Sequence, residues 1–571
     1  MSWHLRARSL VRKAVYAPDA NESGQTLSTI EQSLLSSLAS KSRVPQDLLE
    51  DLKEENRRSD FQAQHESHKL ENNEPQSQRS IPLLERPRAV FWLAITCLPV
   101  FVFLSLIVPP FDDELYYWCW SQQLQFSYFD HPPMVAYMIR LSTSLFGHSI
   151  LAIRIPSIVS ALVVIAVVTW LSRPRNLIPY IILSPVPTFA AVMITPDVPL
   201  LMFWALYVAW LVFIHKRLWS DSLSEFKPEP KIWHWILGGL IIGCGVLGKY
   251  TTGLAVVSGF FTFVIAGQWR RWIVGYTVQG LTALLVASPI LIYNIQNDFA
   301  SVLFQWDHAM SSPEPGLFPF MEFVGIQMIF YGTFPFFIFV WGLLYWRTLI
   351  ADPKLRVCSC LFLLPFGFFL YKATQGRLEG NWAFPCYLSC WPLVAEFYRR
   401  VAHLQRWRIL SRIAFTPALV FSVILLIHAI SPLPFIPVES DRSTRQWDKM
   451  ELARTLAEDI KKSGYTGPVY AFTYQWVSLL RWYGVDAYQH DSQSRPSHFS
   501  ERAHPAIDPA HYVILQETTT STPEPEHVKK GMFLVISTHQ LIVRDVPGPY
   551  FHLIDLSEPP VLSGHLECGK R

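Results

Sequence analysis

Apolar runs about as long as a bilayer's hydrocarbon core is thick constrain this chain more than any other feature. A helix rises about 1.5 Å per residue, so roughly 17 to 25 apolar residues are enough to cross. Such runs lie near 89–109, 150–171, 177–194, 198–214, 232–248, 251–268, 273–293, 318–346, 357–372, 384–398 and 411–430. Several are short and broken by proline, so the count is about eleven, to within one or two. Half of the residues (50 %) are hydrophobic and 16 % are charged, against about a quarter charged in a soluble chain. The 21 tryptophans suit anchoring at membrane interfaces. The pattern predicts an all-α polytopic membrane bundle.

Lys and Arg collect in cytoplasmic loops and so set the orientation. Alternate loops hold Arg86 and Arg88; Arg173 and Arg175; Lys216, Arg217, Lys227 and Lys231; Arg270 and Arg271; Arg347, Lys354 and Arg356; then Arg399, Arg400, Arg406, Arg408 and Arg412. The N-terminus is therefore expected inside and the C-terminus outside. Residues 1–85 are polar, and the first long apolar run begins only near Ala89. They read as a largely disordered cytoplasmic extension without a cleavable signal peptide, with room for a short amphipathic helix around Leu34 to Leu52. A net charge of +3 says nothing about nucleic acid, and with no basic run interleaved with aromatics no nucleic-acid partner is expected. Eight cysteines show neither metal-ligand spacing nor a disulfide framework.

The loops expected outside carry a different mixture: FDDELYYW (111–118), YFDHPP (128–133), TPD (195–197), GKY (248–250), NIQNDF (294–299) and KATQGRLEGNW (372–382). Carboxylates, a His, a Lys and an Arg converge there from distant parts of the chain. Ionisable groups at a membrane edge are costly, so their clustering points to a functional site. The plainer reading is that every loop contains some charge, but the inner loops are mainly basic. In the loop 110–149, residues 113–126 suit a helix lying on the bilayer with Leu115, Trp118 and Cys119 toward lipid. A second helix is expected from Pro132, capped by Asp130, with Met134, Tyr137, Met138, Leu141 and Leu145 at helical spacing.

The segment FDDELYYWCWSQQLQFSYFDHPPMVAYMIRLSTSLFG followed by AIRIPS resembles the first outer loop of bacterial GT-C glycosyltransferases. That group includes the family 39 protein mannosyltransferases, aminoarabinose transferases and rhizobial galacturonosyltransferases. TPDVPLLMFW, LGKYT, LIYNIQNDFASVLFQ and RLEGNWAFP follow in family order, so the resemblance covers about 86–400. It implies a GT-C fold over 86–432 in a bacterial inner membrane. It also implies a cavity facing outward, a polyprenyl-phosphate-linked sugar donor and transfer with inversion. The family's acidic pair falls on Asp113 and Glu114. Where aminoarabinose transferases carry Glu-Lys before the double proline, this chain has Asp130-His131.

Such a transfer needs a cleft beside lipid, a counter-charge for the departing phosphate and activation of the acceptor. Asp113 is the candidate general base for an acceptor hydroxyl, or an orienting group if the acceptor is a phosphate. Capping of the surface helix is its plainer role, and Asp112 is its local rival. Glu114 is expected to support it, through Tyr117 or a neighbouring basic group. Lys249, Arg377 and His131 are the candidate phosphate contacts. Their alternatives are snorkelling for Lys249, a Glu379 partner for Arg377 and a local hydrogen bond for His131. Asp197 is either a helix cap or an acidic wall. Arg154 either bridges a carboxylate to the helix end or marks the interface. A divalent metal where Asp113, Glu114, Asp130 and His131 approach one another stays open. The acceptor is expected to be lipid A, lipopolysaccharide core or another envelope glycan, with protein ranked lower.

Residues 433–571 turn polar and read as a small extracytoplasmic α/β domain. WDKMELARTLAEDIKKSG suits an amphipathic helix ended by Gly464, PVYAFTYQWVSLLRWYG a strand then a helix, and HYVILQ and GMFLVIST further strands. The rival from another class is a lipid or solute transporter. No inverted repeat is visible, and a transporter leaves the charges concentrated at one face unexplained.

Overall fold

The computed structural model describes residues 87–172, 181, 191–219, 229–310, 315–401, 405–437, 441, 445–490, 497–499, 512–519, 521, 533–543 and 546–556. All of them belong to one compact unit, residues 83–571. The N-terminal extension, most of the run at 177–194, and Arg173, Arg175, Lys227 and Cys568 lie outside the described residues.

The apolar runs within the described residues are built as helices: α1 Pro87–Ile107, α2 Asp112–Gln122, α3 Met134–Phe146, α4 Ile150–Ser172, α5 Asp197–Leu218, α6 Ile232–Gly248 and α7 Gly253–Ala266. Next come α8 Ile273–Gln296, α9 Ala300–Met310, α10 Leu317–Tyr331, α11 Phe334–Leu344, α12 Pro353–Gln375, α13 Phe384–Val401 and α14 Gln405–Ile430. Among the described residues four helices, α4, α5, α8 and α12, are long and apolar enough to cross a membrane singly, or up to six if each of two bent pairs is one span. The other apolar runs among the described residues form helices too short or too interrupted to count alone.

Both bends have a cause in the sequence. Between α1 and α2 the chain turns by 96° at Val108-Pro109-Pro110, where two residues lack a backbone donor and each disfavours helix before it. The run at 318–346, expected as one span, is instead broken by 102° between α10 and α11. The break is at Gly332, whose φ is +69° and whose hydrogen faces the Ala414 carbonyl, which a Cβ would strike. A run of apolar residues does not reveal that collision.

Close helix contact uses small residues where lipid supplies no hydrophobic drive. A Cβ on Gly239 or Gly243 of α6 would lie 2.5 Å from Thr282 or 2.7 Å from Val286 of α8. The opposite face of α8 leaves Leu281, Leu284 and Leu285 exposed, as a lipid-facing surface requires.

The tail folds as its pattern predicts. Helix α15 (Arg445–Ser463) ends at Gly464, φ +77°, followed by β1 (Val469–Ala471), α16 (Tyr474–Trp482) and β2 (Ala487–Gln489). Strands β3 (Tyr512–Thr518), β4 (Phe533–Val543) and β5 (Val546–Leu556) complete a sheet of order β2-β1-β3-β5-β4. Its β2, β1 and β3 are parallel and the β3, β5 and β4 pairings antiparallel. This domain shares one hydrophobic core with the first loop, in which Leu115, Trp118, Cys119, Val135 and Ile139 pack with Trp476, Leu480 and Phe551.

That shared core corrects two expectations. Leu115, Trp118 and Cys119 do not face lipid: all three are buried, and Trp118 meets Trp482 edge-on at 4.9 Å. Amphipathic spacing cannot distinguish a lipid surface from a domain docked on the same face. Helix α3 starts at Met134 with Pro133 as its cap, without a side-chain capping bond. It buries Val135, Ala136, Ile139 and Ser142, while Leu141 and Leu145 are exposed.

Candidate active site

Helix α2 leaves the bend with three carboxylates in its first turn, where the positive end of the helix dipole favours them. Their side chains diverge. Glu114 points inward and is fully buried against the fully buried Arg154 of α4, with guanidinium–carboxylate contacts of 2.6 and 2.9 Å. It also accepts from the backbone N–H groups of Phe111 and Ile194, both at 2.9 Å. Arg154 donates further to the carbonyls of Ser105, Val108 and Pro109. Of its two readings the bridging one is realised: it joins a carboxylate to the last carbonyls of α1. A buried pair so fully hydrogen-bonded fixes the α1–α2 bend, and removing one partner of such a pair costs about 3–5 kcal/mol.

Asp112 turns toward the C-terminal domain and accepts from Lys449 Nζ at 2.9 Å and Gln446 Nε2 at 3.3 Å. Asp113 is exposed, and its Oδ1 accepts from the Tyr474 hydroxyl at 2.9 Å. Of the three, Asp113 is thus the one presented to an incoming molecule.

Around Tyr117, the sequence-distant loops meet. Burial, followed by the charges of Asp113 and Asp130, then Tyr474 and Asp197, pushes the Tyr117 phenol well above its ordinary pKa. Three carboxylates, from α2, from the turn before α3 and from the start of α5, therefore act electrostatically on one hydroxyl. Asp130 is almost fully buried and accepts from the Tyr116 hydroxyl, while its backbone carbonyl accepts from Gln305 of α9. His131 lies edge-on to Tyr117, with ring centroids 6.4 Å apart. Asp197 opens α5, whose cap is Pro196, so its carboxylate is not a capping group. It stands between Lys249 Nζ and Asn381 Nδ2, each at 2.7 Å. Arg377, on the same loop as Asn381, is largely exposed and pairs with Glu322 at 3.3 Å rather than with Glu379.

Several members of this cluster escaped the sequence reading. Tyr474, Lys449 and Gln446 come from the C-terminal domain, more than 300 residues from α2. Residues 497–499 bring in His498, whose backbone N–H donates to the Tyr116 hydroxyl at 2.7 Å. Phe499 packs edge-on against the same ring, and Trp120 stacks on Tyr128 at 4.4 Å. Asn381 sat inside the quoted RLEGNW motif, and a polar residue beside a conspicuous Arg was its only signal. Among the described residues no group of three or more His, Cys, Asp or Glu side chains is placed to hold a metal ion.

Comparison with known proteins bears on the fold that carries this site. Residues 130–293 match the family described as dolichyl-phosphate-mannose-protein mannosyltransferase. The lipid A galacturonosyltransferase RgtD of Rhizobium johnstonii is 26 % identical over 299 residues, 49 % of this chain and 58 % of that protein. The match thus spans little more than half the length of that relative. The crystal structure of ArnT from Cupriavidus metallidurans bound to undecaprenyl phosphate superposes with a TM-score of 0.54 at 13 % identity, covering 81 % of this chain and 97 % of that one. Its apo form gives 0.52 at 14 % identity with the same coverage. The resemblance read from the first loop is borne out, and the chain has the fold of these multi-pass membrane proteins.

Proposed function

We propose that this chain, built on the GT-C fold, is an integral-membrane glycosyltransferase that moves a sugar from a polyprenyl-phosphate donor to an acceptor of the cell envelope. Lipid A, lipopolysaccharide core or another envelope glycan is the acceptor class, ahead of protein. The observation that carries the reading is the set of carboxylates Asp113, Asp130 and Asp197 that all act on the Tyr117 hydroxyl, with Tyr474 hydrogen-bonded to Asp113 and Lys249 paired to Asp197. Support also comes from the similar proteins, one a lipid A galacturonosyltransferase and one crystallised with undecaprenyl phosphate.

In this reading the acceptor hydroxyl oxygen attacks the anomeric carbon as the bond to the phosphate oxygen breaks, inverting that centre. The electron pair of the broken bond leaves with the polyprenyl phosphate, and Asp113 takes the hydroxyl proton. Tyr474 holds Asp113 in place. Lys249, His131 and Arg377 supply positive charge or donors to the leaving phosphate. Glu114 and Arg154 keep the α1–α2 bend that aims Asp113. The positive-inside pattern supports a site on the extracytoplasmic face, with the helices crossing about eleven times and the C-terminal domain outside.

The test is transfer by the purified protein from a polyprenyl-phosphate sugar to an extracted envelope glycolipid. Label should enter the glycolipid with wild type and fall by about a hundredfold or more with Asp113→Asn. Equal label with both proteins would remove Asp113 from the reaction, and movement of lipid across a vesicle without transfer would favour a transporter.

A further inference from the structure

A polar cavity lies at the far end of the helices that build the site. Helices α4, α5, α12 and α13, of 23, 22, 23 and 18 residues, each have one end at the cluster, near Arg154, Asp197, Arg377 and Asn381. At about 1.5 Å per residue their other ends lie some 27–35 Å away, the thickness of a bilayer core. Those ends, at Ser172, Lys216, Asp352 and Arg399, line a cavity of about 740 Å³. Four cations (Lys216, Lys354, Arg399 and Arg400) face two carboxylates (Asp352 and Glu396), and Trp170, Leu171 and Leu355 form an apolar wall.

Part of that charge serves the fold. Lys354 Nζ donates to the last-turn carbonyl of Leu171 at 3.2 Å, and Arg399 and Arg400 both bind Glu396. Asp352 caps α12 through the Leu355 N–H at 2.8 Å. The lining still carries a surplus of two positive charges. Its level is the membrane interface of that face: Trp233, Trp269 and Trp346 are exposed at the ends of neighbouring helices, the position of an aromatic belt. Arg270 and Arg347 lie over two of these rings.

We infer that this cavity binds the phosphate of an anionic phospholipid headgroup, in the leaflet opposite the candidate active site. A basic pocket between helix ends at headgroup depth, open beside an apolar wall, suits a phosphate diester with its glycerol and acyl stems. The volume falls in the range of small-ligand sites. The inference needs only the membrane-spanning fold and stands whether or not the chain transfers sugar.

The experiment uses the full chain in nanodiscs of phosphatidylglycerol mixed equally with phosphatidylcholine, with lipid retained after mild detergent exchange counted by native mass spectrometry. Wild type should retain phosphatidylglycerol preferentially, and Lys216→Gln with Lys354→Gln should lower that retention roughly tenfold or more. Ala351→Trp, which adds bulk to the cavity lining and leaves every charge in place, should lower it too and decides the matter if the double variant fails to fold. Inorganic phosphate that displaces the retained phosphatidylglycerol would support headgroup recognition. Equal retention of both lipids by wild type, or preference undiminished in Ala351→Trp, would overturn the inference. So would stabilisation by inorganic phosphate alone with phosphatidylglycerol inert, which reassigns the cavity to a free anion.

Discussion

The Tyr474 hydroxyl donates to Asp113 across 2.9 Å, joining the C-terminal domain to the one exposed carboxylate at the start of α2. One helix away, Lys449 of the same domain holds Asp112 at 2.9 Å. The domain therefore touches both neighbouring carboxylates, and its placement sets where Asp113 points.

Tyr474→Phe should lower turnover by about tenfold while leaving the protein's thermal stability near wild type. A hydrogen bond to a charged group contributes about 1.5–3 kcal/mol, and this one orients Asp113 while burying little. The effect should fall on kcat more than on the donor's KM, and the double variant with Asp113→Asn should be hardly slower than Asp113→Asn alone. Unchanged kcat would show that Tyr474 does not position the carboxylate.

Glu114→Gln and Arg154→Met should each destabilise the protein by about 3–5 kcal/mol, because each leaves an uncompensated buried group. Thermal unfolding in detergent reads this directly, and whatever protein survives should retain its donor KM. A donor KM raised tenfold in a protein of normal stability would place Glu114 in the binding site instead.

Lys249→Met should weaken polyprenyl phosphate binding by about tenfold or more, and Asp197→Asn should weaken it less. The amine is held by Asp197 in a nearly dry environment, with side-chain exposures of 10 % and 14 %, and a phosphate there meets a weakly screened charge. Equilibrium binding of the lipid phosphate measures the difference. If Lys249→Met lowers stability and leaves binding untouched, Lys249 serves Asp197 alone.

Acid should loosen the C-terminal domain through Asp459. Burial by itself would raise its pKa, but the hydrogen bond with His539 at 2.7 Å and the Lys462 ammonium at 3.8 Å help to outweigh burial and hold it below the usual carboxylate value. A depressed folded pKa stabilises above the unfolded value of about 3.9, and the contribution is lost as pH falls through the lower folded value. Tryptophan fluorescence of the denaturant transition should show this loss below about pH 4. Asp459→Asn should flatten that part of the profile, and an unaltered profile would remove the pair from acid sensitivity.

The bundle was legible because apolar runs and Lys/Arg alternation are local signals, and Asp113, Asp130, Asp197 and Lys249 were legible as charges out of place at helix ends. Which face of α2 met lipid was not legible. Leu115, Trp118 and Cys119 have the spacing of a surface helix, yet they pack on Trp476, Trp482 and Leu480, whose arrival depends on a domain that follows three hundred residues later. The roles of Glu114 and Arg154 were legible as one of two alternatives each, a basic partner and a bridge from a carboxylate to the helix end, and the choice between alternatives was what the sequence left open. Adjacent acids look equivalent in sequence, and only the helix phase and the α1 carbonyls separate the buried one from the exposed one. Gly332 hid differently, since its necessity is a steric contact with Ala414.

The most direct test of the central claim compares envelope glycolipids by mass spectrometry in a strain lacking the gene, complemented with wild type or with Asp113→Ala at equal membrane level. The account expects one sugar mass to vanish in the deletion, return with wild type and stay absent with Asp113→Ala. Full restoration by Asp113→Ala, or no glycolipid changed by the deletion, would contradict it.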